Sequence, residues 1–181
     1  MVTRIDERQL NGLLDRLNTT GCIVTTEYQG RRDGCYISYI APCSMDPPRL
    51  MVLTSHENLT HDLIEQSGVL AVHPVVRGQE RWMEHFGHQT GRDVDKLASI
   101  AWHPGITGAP ILDEAIGYIE GRVFQSMVCG DHTARLVEPL AAELRDQHAV
   151  PLTIFELLAR GLVTPHAGLG NPWKAFLPRD Y

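Results

Sequence analysis

No run of Lys or Arg in this 181-residue chain exceeds two residues, and the formal charge is −6. Proteins that track a phosphate backbone concentrate positive charge on one face, so no nucleic-acid partner is expected. No apolar run approaches the roughly 18 residues needed to cross a bilayer, and no membrane association is expected. The opening MVTRIDERQ is polar rather than signal-like, which makes a cytoplasmic location the expectation. Four cysteines, Cys22, Cys35, Cys43 and Cys129, are scattered without a C-x-x-C pair, which argues against a zinc knuckle or a redox dithiol. They are expected to be reduced and mostly buried. His56, His61, His85, His88 and His103 are irregularly spaced with no completing carboxylate pair, so no metal site is expected. No G-x-G-x-x-G follows the first strand, and no Walker-type loop, G-x-S-x-G elbow or H-E-x-x-H is present. Rossmann-type dinucleotide binding, P-loop chemistry and common hydrolase chemistry lose their usual signatures.

What remains is an ordinary globular composition, 43% apolar and 21% charged, at a length that suits one domain with appendages. Residues 7–18 place Leu10, Leu13, Leu14 and Leu17 at helical spacing behind Asp6, predicting an amphipathic helix. CIVTTEY, from Cys22, reads as a strand, residues 29–34 as a polar turn, and Cys35 to Ala41 as the returning strand. Pro47 and Pro48 predict an extended turn before a strand from Leu50 to Thr54. Ser55 or Asn58 then caps a helix through about Gln66, with Asp62 in its first turns. Val69 to Val76 reads as a buried strand and Gln79 to Gly87 as a short helix with Trp82, Met83 and Phe86 on one side. Residues 91–98 add a charged helical turn. Trp102 to Leu112 holds too many Gly and Pro residues for a helix and reads as a structured loop entering a strand. Ala115 to Val128 is a long strand bent or bulged at Gly121, Gly130-Asp131-His132 a tight turn, and Thr133 to Leu140 the antiparallel return. Leu152 to Arg160 closes the list as a short helix. Many strands without strand-helix alternation predict a mainly β fold, an antiparallel barrel with peripheral helices.

Several local features admit both a functional and a structural reading. The small-residue segment from Ser38 to Ser44 suits close approach of a planar ring or a phosphate, or is a bent barrel strand. Ser55, Asn58, Thr60 and His61 offer donors where a helix dipole favours an anion, or are ordinary caps. Tyr36, Tyr39 and Trp102 are candidates for ring stacking or for core packing. His132 is a turn histidine beside Asp131, solvated or functional.

Taken in order, GCYISYIAPCSMDPPRLMVLTS, NLTHDLIEQSGVLAVHPV, HFGHQTGRDVDKL, WHPGITGAPIL and GDHT resemble the flavin reductase-like family over roughly residues 21–140. The resemblance implies an FMN-binding split β-barrel, usually a homodimer with FMN at or near the subunit interface. From the residues themselves, 1–20 is expected to be an N-terminal amphipathic helix and 141–181 a helix and tail, either packed on the barrel or on a second subunit with Trp173 and Phe176 as anchors, or unattached. The resemblance also implies that Tyr36, Ile37, Ser38, Ala41 and Ser44 line the ring and ribityl chain, that Ser55, Thr60 and His61 lie near the phosphate, and that Gly130, Asp131 and His132 face the nicotinamide, with His132 catalytic. The implied activity is NAD(P)H-dependent flavin reduction, hydride passing from nicotinamide to flavin N5, with NADH or NADPH as donor, FMN or FAD as flavin and a two-component monooxygenase as a possible recipient. A non-catalytic flavin-binding or electron-transfer protein of the same fold is the alternative. Where the family often carries Asn at the Ser38 position and small polar residues at Tyr39, Ala41 and Pro42, this chain differs, and Arg49 is unexpectedly charged.

Overall fold

A computed structural model describes residues 19–162. The helix expected over 7–18 and the tail holding Trp173 and Phe176 lie outside the described residues.

The first hairpin shows how a polar stretch becomes a strand. β1 (Cys22–Tyr28) pairs with β2 (Arg31–Ile37) through a connection of only Gln29 and Gly30, with Tyr28 opposite Arg31. Both connecting residues have positive φ, 51° and 81°, the hand that matches strand twist in two-residue hairpins. The turn is therefore shorter than the sequence suggests, and Arg31 to Gly34 belong to the strand. Their polarity misleads because Asp33 is buried by an ion pair and Gly34 lies under Phe86, whose ring leaves no room for a larger side chain.

β3 (Ile40–Met45) and β4 (Pro48–Ser55) form the next hairpin, with the second proline inside the strand rather than in an extended turn. This is tolerated because Pro48 is the first residue of β4, opposite Met45. α1 (Leu59–Ser67) starts after Asn58 and stops at Gly68, whose φ of 68° provides the left-handed cap. β5 (Val69–Pro74) leads to α2 (Glu80–Gly87), which buries Trp82, Met83 and Phe86. The Gly- and Pro-rich loop contains a small hairpin, β6 (Trp102–Pro104) with β7 (Pro110–Leu112). The buried Glu120 carboxylate accepts from the backbone N–H groups of Ile106 and Thr107 and so satisfies the turn between the two strands. β8 (Gly117–Cys129) and β9 (His132–Leu144) make a long hairpin, and α3 (Ile154–Ala159) closes the described chain. Leu140 is an extra residue on β9 opposite the Glu120–Gly121 step, and Phe124 an extra residue on β8 opposite the Leu136–Val137 step.

The main sheet runs β2-β1-β5-β8-β9-β4-β3, with every neighbouring pair antiparallel. Its edge strands β2 and β3 are joined through Ser38 and Tyr39 yet are not neighbours in the ladder, so the barrel is split there. Alternation sorts the core into two. Val24, Cys35, Ile37, Val52, Leu70, Val72 and Val137 fill the barrel together with Ile64 of α1. Ile23 and Tyr36 face the other way, under Trp82, Met83 and Phe86 of α2. Of the cysteines, only Cys22 and Cys35 are buried, which pushes their thiols up to about 12 and about 11. Cys43, at the β3 bulge, is exposed and Cys129 partly so, which corrects the expectation of general burial.

Candidate functional site

β4 runs down the middle of the open half of the sheet, between β3 and β9, and its alternation creates two surfaces. Leu50, Val52 and Thr54 point into the barrel, while Met51 and Leu53 point outward and are half-buried. Cross-strand partners share a face, so Ala41 opposite Met51, and Leu136, Ala134 and His132 opposite Met51, Leu53 and Ser55, complete the outer surface. Ser44 opposite Arg49 lies further along it. Tyr39 stands at the open seam, its ring edge-on to His132 at 5.3 Å between centroids. The outer surface is thus an apolar platform with small residues at Ala41 and Ala134, rimmed by Tyr39, Ser55 and His132. A planar ring laid on it would meet short side chains and a few placed polar groups, which suits a flat aromatic ligand.

The sequence candidates do not all reach this platform. Ala41, Ser44, Ser55 and His132 are on it, and Ser38 is partly exposed at the seam, its carbonyl accepting from the Thr19 hydroxyl at 2.6 Å. Tyr36 and Ile37 are buried on opposite faces of β2 in the two cores, and Tyr36 packs against Gly21, where a Cβ would collide with its hydroxyl. Burial raises the Tyr36 phenol far above its ordinary range, and the hydroxyl has no hydrogen-bond partner among the described residues. Thr60 is fully buried, and its hydroxyl donates to Asp33 Oδ2 at 2.7 Å. Gly130, with φ of 66°, makes the tight turn, and His132 Nδ1 lies 2.8 Å from the Asp131 carboxylate.

At the strand ends above the platform, α1 begins. The side chain of Asn58 makes no capping bond, which leaves its amide available beside the helix N-terminus. His56 and His61 meet there with ring centroids 4.9 Å apart, and both direct Nε2 at the Thr133 hydroxyl, at 3.1 and 3.0 Å. Arg135, fully buried on β9, donates to the Thr54 hydroxyl, to the His61 carbonyl at 3.3 Å and to Glu65 at 2.8 Å. Burial, with Arg135 and His56 adding to it, holds His61 below the usual imidazole range against the opposing pull of Asp62. Sequence reasoning missed Arg135, His56 and Thr133. The available signal was parity, since Thr133, Arg135 and Val137 alternate on one face of a strand and two of them are polar where a core is expected.

The Gly91-Arg92-Asp93-Val94-Asp95-Lys96 segment lies behind the site and serves as its brace. A Cβ on Gly91 would strike the Asp33 carboxylate, Arg92 pairs with Asp62 at 2.8 Å, Asp95 with Arg32 at 2.7 Å and Lys96 with Asp33 at 3.4 Å. Arg49 also finds a structural role: it stacks on Phe124 at 5.2 Å and shares Glu138 with Arg122.

The model of the flavin reductase-like domain matches residues 14–157. The chain is 28% identical over 134 residues to FMN reductase (NADH) RutF of Ancylobacter novellus, covering 74% of each protein. It is 27% identical over 172 residues to HsaB, a flavin-dependent monooxygenase reductase subunit of Rhodococcus jostii, covering 94% of this chain and 85% of that one. Among solved structures, nitrilotriacetate monooxygenase component B from Mycobacterium thermoresistibile superposes with a TM-score of 0.70 at 26% identity, over 79% of this chain and 78% of the other.

Proposed function

We propose, because the chain belongs to the flavin reductase-like domain family, that it is an NAD(P)H-dependent FMN reductase. The observation that carries this is the platform of Ala41, Met51, Leu53 and Ala134 ending at Ser55 and His132, in a chain whose family match spans all of these residues. FMN bound there supplies the ability to accept a hydride from a nicotinamide. The chain's own residues do the rest. The platform excludes water from one ring face and fixes ring orientation. Ser55 and Asn58 hold the phosphate where the N-terminal end of α1 favours an anion, with His61 beside them on that first turn. His132, oriented by Asp131 and flanked by Tyr39, faces the incoming nicotinamide and holds a proton at its imidazole.

We also propose a homodimer. Phe124, Met127, Val128 and Leu140 are exposed apolar residues on the β8–β9 hairpin, and a second copy is the simplest cover for them. A monooxygenase that consumes the reduced flavin is the proposed partner, by analogy with the HsaB relative.

The test is to mix purified protein with FMN and NADH or NADPH and follow the nicotinamide absorbance. Flavin-dependent oxidation with at least one donor is expected; none with either overturns the reading.

A further inference from the structure

Arg135 is an expensive residue where it sits. Its side chain is fully buried, its Nε makes no hydrogen bond among the described residues, and the carboxylate that opposes it, Glu65, is 57% exposed. Burying a guanidinium costs several kcal/mol before any pairing, and a half-solvated partner recovers only part of it. An apolar residue at this position would continue the barrel core formed by Val52 and Val137. The guanidinium instead ties three points together, the Thr54 hydroxyl near the end of β4, the His61 carbonyl and the Glu65 carboxylate on α1.

The groups facing His61 fix its hydrogen-bond pattern. Its Nδ1 is 3.2 Å from Asp62 Oδ1, a carboxylate that only accepts, so Nδ1 carries the proton of the neutral ring. Nε2 is then a lone pair, and Thr133 donates its one hydroxyl hydrogen to it. The same oxygen accepts from His56, which must carry its proton on Nε2. The result is an ordered chain, Asp62 to His61 to Thr133 to His56, in which each donor has one acceptor. A second proton on His61 would leave the Thr133 hydroxyl with two donors and no acceptor in the chain, beside the Arg135 cation. The other charges near His61 are Arg92, which engages the far oxygen of Asp62, and Glu65.

We propose that Arg135 and Thr133 are positioning residues of the phosphate end of the flavin site: Arg135 ties the first turn of α1, whose N-terminal end receives the phosphate, to β4 and β9, and Thr133 holds His61 neutral and Nδ1-protonated, its ring nitrogens both engaged within the protein. This rests on the function proposed above. Neither residue touches the ligand. Arg135 acts through the His61 carbonyl and its own positive field, and Thr133 through the two imidazoles.

The experiment uses the full chain, freed of flavin, as wild type and as Arg135→Met, Arg135→Lys and Thr133→Val. Histidine titrations are followed by imidazole nitrogen NMR, and FMN affinity by fluorescence quenching. In Arg135→Met the His61 titration midpoint moves up, and FMN binding weakens roughly tenfold or more at pH 8. Arg135→Lys keeps the charge and loses the fork, so His61 titrates near the wild-type midpoint while affinity falls only partway. In Thr133→Val the His61 midpoint moves up, because the neutral ring loses the donor to its Nε2. Wild-type affinity with an unmoved His61 midpoint in Arg135→Met overturns the inference, as does an unmoved His61 midpoint in Thr133→Val, which decides the matter if Arg135→Met does not fold. Wild-type protein that binds no FMN overturns the function proposed above and leaves the NMR arms to decide the histidine arrangement.

Discussion

His73 sits at the centre of β5 with no solvent exposure, and both its ring nitrogens are used. The Leu112 N–H donates to Nε2, so Nδ1 carries the proton and donates to the Ile23 carbonyl. A protonated ring would turn one acceptor into a donor facing a donor, and burial pulls the imidazole down to about 4. Between pH 6.5 and about 4 the unfolded chain takes up a proton here that the folded chain refuses. Stability is therefore full above pH 6.5 and falls as pH drops toward 4, by on the order of 3 kcal/mol from this residue. Urea unfolding midpoints across that interval check the slope, and a flat profile contradicts the assignment. The carboxylates held low by arginine or backbone partners, such as Glu138 and Glu156, add their loss at lower pH and extend the decline. Thr60 makes a second test at this scale. Thr60→Val keeps the shape and removes the donor to Asp33, so stability drops by roughly 1.5–3 kcal/mol in equilibrium unfolding. His132→Ala, by contrast, is expected to lower turnover more than FMN affinity, since the proposed function puts its ring on the nicotinamide side of the platform.

At the scale of elements, the segment from Gly91 to Lys96 joins β2 and α1 by charge rather than by apolar packing. The Lys96 and Asp33 side chains are both about 1% exposed, so neither can turn to water if the other is lost. Lys96→Met leaves Asp33 with Thr60 alone and is expected to destabilise by about 3–5 kcal/mol, while Asp33→Leu combined with Lys96→Met restores much of the loss. Thermal unfolding of the single and double variants measures this. The same segment shows what a sequence can and cannot disclose. The β-branched run CIVTTEY and the alternating run from Ala115 placed β1 and β8 within a residue or two, although β1 is buried on both faces. The Trp82, Met83 and Phe86 stripe located α2 by its helical spacing. Arg31 to Gly34 read as a loop because their burial depends on partners some sixty residues away, which no local pattern shows. The family was legible in the order of motifs, while the inward turn of Tyr36, Ile37 and Thr60 was not, since strand parity and helix phase decide which neighbours face the platform.

For the whole molecule, an open seam between β2 and β3 and an apolar surface on the β8–β9 hairpin leave half of the proposed site on an uncovered face. Met127→Lys adds a charge to that surface, and light scattering should show the dimer shifting toward monomer with the fold retained by circular dichroism. A monomeric wild-type protein contradicts the proposed assembly. The long hairpin carries a further constraint. Gly117 opposes Leu144 at its base and Cys129 opposes His132 at its tip with the same offset, although Leu140 interrupts one strand and Phe124 the other. The two interruptions are a phase slip and its correction, opposite in sign and a few residues apart. Deleting either residue alone leaves the tip out of step with the base and asks β9 to choose between its two neighbours, so His132 loses its place opposite either Cys129 or Ser55. Deleting both keeps the strands in step, which makes the double deletion the milder lesion of the two.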